Sequence, residues 1–421
     1  MITFLLKGLL RDRSRSLFPI LVVSAGAALA VFAYCWVQGA RNDMVWSNAA
    51  FDTGHVKITT RAYAQESDLL PNDLALIGVD DLLAELRQSH PDLIWTSRTR
   101  FGGLLDIPDA DGETRAQTPI VGLAVNLADG SPEYRILNIG ASLVRGGLPL
   151  EPNRLLISEQ MAQQLGVQVG DAATIISSTM HGSMTVHNFR IAGTVRFGVT
   201  AIDRGAVIAD EREVRLMLDM EDASSEVVGY FGDLLFNQPG SRQIADAFNA
   251  QQEADDFSPH MVTLAEQNEL GSFLTIWNTF GGVIMSVFIV VMSIVLWNAG
   301  LMGSLRRYGE YGVRLAIGES KGHVYASMLY ESLLIGVCGA VIGTLFGLAA
   351  SYWLEVKGLD ITSAMQNSSI MMSNIVRAQI TPAAYYIGLI PGIIAPQLGA
   401  LISGVGIFKR QTAQLFKELE V

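Results

Sequence analysis

Four stretches of this chain run without a charged residue for at least the thickness of a lipid bilayer. They are Leu17 to Trp36 (20 residues), Gly271 to Ser304 (34), Ser332 to Leu354 (23) and Ala378 to Phe408 (31). A helix rises about 1.5 Å per residue, so about 20 apolar residues cross the hydrocarbon core. The expectation is four membrane-spanning helices, in place of the buried helices of a large soluble core. A mean hydropathy of +0.32 over 421 residues agrees with it. Lys7, Arg11, Arg13 and Arg15 precede the first run as they would precede a cleaved signal peptide. The run is long for one, no small-x-small cleavage site follows, and Tyr34 before Cys35 makes a poor acylation site. It reads as a retained helix.

Lys and Arg near helix ends set orientation. They collect before the first run, between the second and third (Arg306, Arg307, Arg314, Lys321) and after the fourth (Lys409, Arg410, Lys417). Those regions are expected to be cytoplasmic, with both termini. Residues 41–269 hold 33 acidic and 16 basic residues, a net of −17 in a chain whose total is −12. That segment belongs outside. The acidic balance gives no reason to expect nucleic-acid binding. The two cysteines, Cys35 and Cys338, both fall in apolar runs. The external segment therefore has no disulfide and depends on its own core.

The external segment reads as mixed α/β. Gly54 to Thr59 alternates like a half-buried strand, and Asp80 to Arg87 is patterned as an amphipathic helix. In Leu155 to Ser178 a short strand leads to Ser158 as an N-cap, then a helix from Glu159 to Leu165. Gly166 stops that helix, and Gly170-Asp171 turns into a β-branched strand. Phe189 to Gly198 and Gly205 to Asp210 continue as strands, and Glu211 to Met220 as a helix. His181 and His187 have a spacing that suits no metal site, and Asp80-Asp81 and Asp255-Asp256 read as solvated surface. No catalytic residue and no metal site is expected.

Between the second and third runs lies a polar connector, "RRYGEYGVRLAIGESKGHVY", Arg306 to Tyr325. Gly318-Glu319-Ser320-Lys321-Gly322 formally matches the G-x-S-x-G nucleophile elbow, which works only on a large sheet. Too few residues surround it for that. As a helix, the connector puts Tyr311, Arg314, Leu315 and Gly318 on one side, and Glu310 and Arg314 form an i, i+4 pair. Gly318 is placed to end it and Ser320 to begin the next. A short amphipathic helix of this kind is more than a plain turn needs, so a docking partner is expected. In the third run Gly339, Gly343 and Gly347 follow Gly336 as a small-xxx-small ladder, which admits a close neighbouring helix from the same chain or a second copy. Glu331 at the start of that run either snorkels or pairs with the connector. Pro391 and Pro396 are expected to kink the fourth helix.

The connector closely resembles that of the FtsX/MacB/lipoprotein-release (LolC and LolE) permease family, whose pattern is roughly R-x-x-E-h-G-h-h-R-A-h-G-x-S. Arg307, Glu310, Gly312, Ala316, Ile317, Gly318 and Ser320 match it, with Arg306, Arg314 and Leu315 alongside. Glu331 fits the family's acid at the start of the third helix. Leu155 to Ser178 is similar to the family's "viSe-x-x-A-x-x-L-G-x-x-x-GD" segment. Gly54-His55-Val56, with Tyr63 downstream, is similar to the stretch after the first helix in lipoprotein-release permeases. The tail "FKRQTAQLFKELEV" departs from the family's ending.

The resemblance implies four transmembrane helices with a MacB-like periplasmic α/β domain inserted between the first two. The implied order is a cytoplasmic segment 1–16, helix 17–40, periplasmic domain 41–270, helix 271–304, coupling segment 305–322, helix 323–354, periplasmic loop 355–379, helix 380–408 and cytoplasmic tail 409–421. It implies the permease subunit of a type VII ABC transporter in a bacterial inner membrane, paired with a second permease subunit and two copies of a separate ATPase. No G-x-x-x-x-G-K-[ST] loop occurs in the chain, so ATP and Mg would be handled by that partner. ATP-driven motion would pass along the long second helix to the external domain. Lipoprotein release is the leading implied function, with a periplasmic chaperone or adaptor as a further possible partner. The alternatives are MacB-like export of drugs, toxins or peptides, and FtsX-like regulation of cell-wall hydrolases. A receptor would need a cytoplasmic signalling region, and an intramembrane enzyme a polar catalytic pair, and neither is evident.

Overall fold

A computed structural model describes residues 13–109, 111–128, 130–197, 203–267, 270–305, 308–360 and 375–409. Expectations placed on Lys7, Arg11, Arg306, Arg307, Arg410, Lys417 and most of the loop 355–379 lie outside them. The chain divides into two compact units.

The membrane unit holds four helices long and apolar enough to cross a bilayer. The first helix is Arg13–Asn48, the second Leu270–Leu305 and the third Lys321–Lys357; the fourth span is built from Ala384–Ile387 and Leu389–Lys409. The first helix continues past the charged Arg41 and Asp43 that end its apolar run. Its last turns are held by packing instead, with Val45, Ala49 and Ala50 buried. The fourth span is interrupted at Gly388, ahead of Pro391, and Pro396 sits inside the longer piece. A proline near a helix start costs little because its missing N–H would be unpaired there anyway. Cys35 is buried and Cys338 exposed, and neither is bridged.

The external unit is α/β, built on a 10-stranded sheet system. Its strands are β1 (Val56–Thr60), β2 (Leu76–Ile77), β3 (Leu93–Pro108), β4 (Thr114–Val125), β5 (Leu143–Gly146), β6 (Arg154–Ser158), β7 (Ala172–Ser178), β8 (Met184–Val195), β9 (Ala206–Asp210), β10 (Ala223–Ser224), β11 (Glu226–Phe231) and β12 (Pro259–Thr263). The 16-residue β3 belongs to two layers. Its first half pairs with β11, which continues through β1 to β12. Val56, Ile58, Trp95 and Val227 there pack with Leu83 and Leu86 of helix Val79–Ser89 and with Phe248 of helix Gln238–Asn249.

The second half of β3 closes a ring of six strands, β3-β4-β9-β6-β8-β7, because β7 pairs with both β8 and β3. Pairing is parallel between β4 and β9 and between β6 and β8, and antiparallel elsewhere. A closed ring leaves no open edge, and its interior is filled by side chains. Phe101, Leu105, Leu155, Ile157, Ile175, Phe189, Ile191 and Val207 are among the residues buried together in this core. Phe101 lies over its cross-strand partner Gly122, where any Cβ would collide with the ring.

Local signals behave as their chemistry dictates. Ser158 Oγ accepts from Met161 N at 2.9 Å and caps helix Glu159–Leu165, which Gly166 ends at φ 63°. Asp210 caps helix Glu211–Leu218 through Arg212 N. His187 takes Asn153 Oδ1 as partner at 2.7 Å. Among the described residues no group of three or more His, Cys, Asp or Glu is placed to hold a metal ion.

Candidate functional site: the connector helix

The connector forms a helix over Tyr308–Ala316 within the membrane unit. One face is anchored. Tyr311 is only 3% exposed and packs with Val324, Met328 and Ala400, with Leu315 at the edge. Gly312 is buried beside it. Arg314 donates from Nη1 to Ser327 Oγ on the third helix at 2.8 Å. The other face is exposed: Val313 is 44% and Ile317 81% exposed. Glu310, Ala316, Gly318 and Ser320 are exposed with them.

The turn out of this helix is a Schellman motif. Gly318 N donates to Leu315 O at 3.1 Å and Glu319 N donates to Arg314 O at 3.1 Å. The pattern requires a left-handed residue after the helix, and Gly318 supplies it at φ 104°. The motif brings the third residue from the helix end against the second residue beyond it, where an apolar contact commonly sits. Here those positions are Arg314 and Glu319, and they form a bidentate ion pair with Nε and Nη2 at 2.6 and 2.7 Å from the two carboxylate oxygens. Hydrogen bonding from Arg314 holds the Glu319 carboxyl below its usual range. The bond to Glu319 raises Arg314 in turn, with the charges of Glu319 and Glu331 adding to it. Both groups are therefore charged at neutral pH. His323 Nε2 lies 3.5 Å from Glu319 Oε1.

Ser320 takes the extended N-cap conformation before the third helix, but its side chain makes no cap hydrogen bond. The helix opens on the Ser320 carbonyl, which accepts from His323 N and Val324 N. Of the residues singled out in the sequence, Gly312 and Arg314 fall on the anchored side, and Glu310, Ala316, Ile317, Gly318 and Ser320 face outward. Glu331 lies half-buried on the third helix. Helical i, i+4 spacing does not single out Glu319 or Ser327 as a partner of Arg314. The signal was present in the spacing, since a glycine between an Arg and a Glu five apart marks the two ends of a Schellman turn.

The glycine ladder of the third helix meets the first helix. A Cβ at Gly339 would lie 2.7 Å from Val23 Cβ, one at Gly343 would strike Ser24 O, and one at Gly347 would lie 2.7 Å from Ala28 O. Backbone-to-backbone approach of this kind is open only to the smallest residues.

Residues 282–412 match the FtsX-like permease C-terminal family. The chain is 22% identical over 233 residues to the lipoprotein-releasing system transmembrane protein LolC of Haemophilus influenzae, covering 53% of this chain and 55% of that protein. It is 30% identical over 115 residues to the macrolide export ATP-binding/permease protein MacB 1/2 of Paracoccus denitrificans, 26% of this chain and 17% of that protein. The chain thus spans about half of LolC and a smaller part of MacB. The crystal structure of the periplasmic region of MacB from Actinobacillus actinomycetemcomitans aligns over 52% of this chain and 94% of its own, at 9% identity and a TM-score of 0.36. Over residues 282–412 the chain matches the FtsX-like permease C-terminal domain, and it is similar to LolC and MacB, which are membrane permease proteins by name, over the spans given.

Proposed function

We propose that the chain is the permease subunit of an ABC transporter, and that its connector helix is the coupling helix on which a separate ATPase docks. The observation that carries the reading is the two-sided connector. A helix pinned by Tyr311 and Arg314 yet presenting Ile317 at 81% exposure is built to be covered. The FtsX-like domain over the same residues supports that assignment. ATP and Mg would be bound by two copies of the ATPase, and the permease would act as a dimer with itself or a related chain. The membrane would be a bacterial inner membrane, and the Lys and Arg distribution supports an orientation with both termini, and the connector, in the cytoplasm. The acidic α/β unit would then be periplasmic. ATP-driven movement of the connectors would reach that unit through the long helices.

The cargo this reading favours is a lipoprotein drawn from the membrane, because LolC aligns with 53% of the chain. Export of a drug, toxin or peptide is the second reading, carried by the higher identity to MacB over a shorter span. Purification from native membranes in mild detergent, with trapped nucleotide, tests both. A stoichiometric P-loop ATPase supports the transporter reading, and a co-purifying lipoprotein supports the favoured cargo. If no ATPase is recovered, the reading is wrong. A Glu310→Lys, Gly318→Pro double variant should insert normally and lose coupled transport.

A further inference from the structure

The first helix ends inside the external unit, and its end is claimed by side chains carbonyl by carbonyl. Beyond Asn48 the helix passes into a π-type turn over Ala49–Thr53, and Gly54 N closes it on Ala49 O at 2.9 Å. The last carbonyls of a helix have no partner within it. Here Tyr230 Oη donates to Ala49 O at 3.1 Å, Arg98 Nη2 donates to Ala50 O at 2.7 Å and Arg100 Nη2 donates to Phe51 O at 2.9 Å. Gln267 Nε2 adds a bond to Thr53 O at 3.2 Å. Three successive carbonyls are thus held from two strands, β3 and β11.

The arginines among these groups are charged, and Arg98 is fully buried. Arg98 and Glu133 both have fully buried side chains and pair at 2.9 and 2.8 Å. Arg98 Nη2 also donates to Tyr230 Oη at 2.8 Å, which leaves the phenol's proton for Ala49. Arg100 pairs with Glu226, which Lys57 also holds, and with Asp52. Cations at a helix C-terminus are favoured by the helix dipole. A buried ion pair is a poor source of net stability, since an apolar pair of the same volume often does as well. One nitrogen of the fork, Arg98 Nη1, is buried with no hydrogen-bond partner among the described residues. A charged pair kept in a core under that cost points to what it holds.

We propose that Arg98, Arg100 and Tyr230 are positioning residues that lock the end of the first helix into the sheet of the external unit. A displacement of residues 42–53, the part of that helix end within the external unit, then moves β3 and β11 with it. β3 carries both arginines and runs on as a wall of the six-stranded ring, so the load reaches the ring through one continuous strand. The start of the second helix shares this seat. Leu270 and Leu274 pack in the same cluster as Val45, Ala49, Ala50 and Tyr230. The mechanical role rests on the transporter reading; the lock itself does not.

The test uses the full chain in lipid nanodiscs with an Arg98→Met, Glu133→Leu variant, which removes both charges and keeps volume. Hydrogen exchange at residues 50–56 should rise at least about tenfold while the thermal midpoint stays close to the parent. Arg98→Lys, which keeps a charge for Glu133 but lacks the fork, should not restore protection. If the double variant does not fold, Tyr230→Phe removes only the hydroxyl and should raise exchange at the same residues by a smaller factor. Unchanged exchange in the folded variant overturns the lock, whatever the chain transports. In the complex, the variant should keep basal ATPase activity and lose most cargo release. Loosened exchange with full release overturns the positioning role. Absence of any ATPase partner overturns the transporter reading and leaves the exchange result to judge the lock.

Discussion

Arg314 and Glu319 grip each other through two hydrogen bonds across the turn that Gly318 makes possible. The pair fixes the angle at which the connector helix leaves the third helix, and Arg314 ties the same point down through Ser327. Glu319→Gln should therefore loosen the turn without unfolding the chain. The pair is part-exposed, so the loss of stability should be small. Amides of residues 317–324 should exchange faster, and the swapped pair Arg314→Glu, Glu319→Arg should recover part of the protection. Exchange that matches the parent in Glu319→Gln would show that the backbone motif alone holds the turn.

The glycine ladder makes a prediction about the membrane unit. Gly343→Ala puts a methyl against Ser24 O and 2.8 Å from Ala27 Cβ, and neither is the end of a flexible chain. Overpacking of this kind costs about 1–3 kcal/mol. Gly282→Ala on the second helix meets nothing within 4 Å and serves as the control. Thermal unfolding in bicelles should separate the two. Equal midpoints would mean that the first and third helices are not in this close contact.

His55 makes the external unit sensitive to acid. It is fully buried among Trp46, Tyr230, Phe231 and Phe236, and its Nδ1 accepts from Phe231 N at 3.1 Å. Burial pulls its pKa down to about 4, partly opposed by the charge of Asp233. The unfolded chain takes up a proton near pH 6.5 that the folded chain refuses until about 4. Stability from this site is thus complete above pH 6.5 and is lost as the pH falls toward 4, by up to about 3 kcal/mol. His55→Phe should be less stable at pH 7, because Phe231 N loses its acceptor, but should show a flatter decline between pH 6.5 and 4. An unchanged slope would assign the acid sensitivity elsewhere.

The membrane helices were legible because a bilayer demands long uncharged runs and little else produces them. The Ser158 cap and the Gly166 stop were legible because both act within a few residues of themselves. The closure of the six-stranded ring was not, since it depends on Leu104 finding Ile176 and on β4 finding β9 across long loops. Arg98 was hidden for a similar reason. Its alternation in β3 looks like that of any strand, and only Glu133, Ala50 and Tyr230 brought around it explain a buried charge. At the connector the helix and its stop were readable from pattern. The Arg314–Glu319 pair was not, because it spans the turn and falls outside the i, i+4 spacing of a helix.

In the transporter reading, the exposed tip of the connector is covered by an ATPase. A photo-crosslinking residue in place of Ile317, activated in intact native membranes, tests it most directly. A discrete adduct with a P-loop ATPase is expected, lost on Val313→Asp and absent when the crosslinker replaces Tyr311 on the anchored side. Crosslinks from position 317 to lipid alone, or to the external unit of another copy, would contradict it.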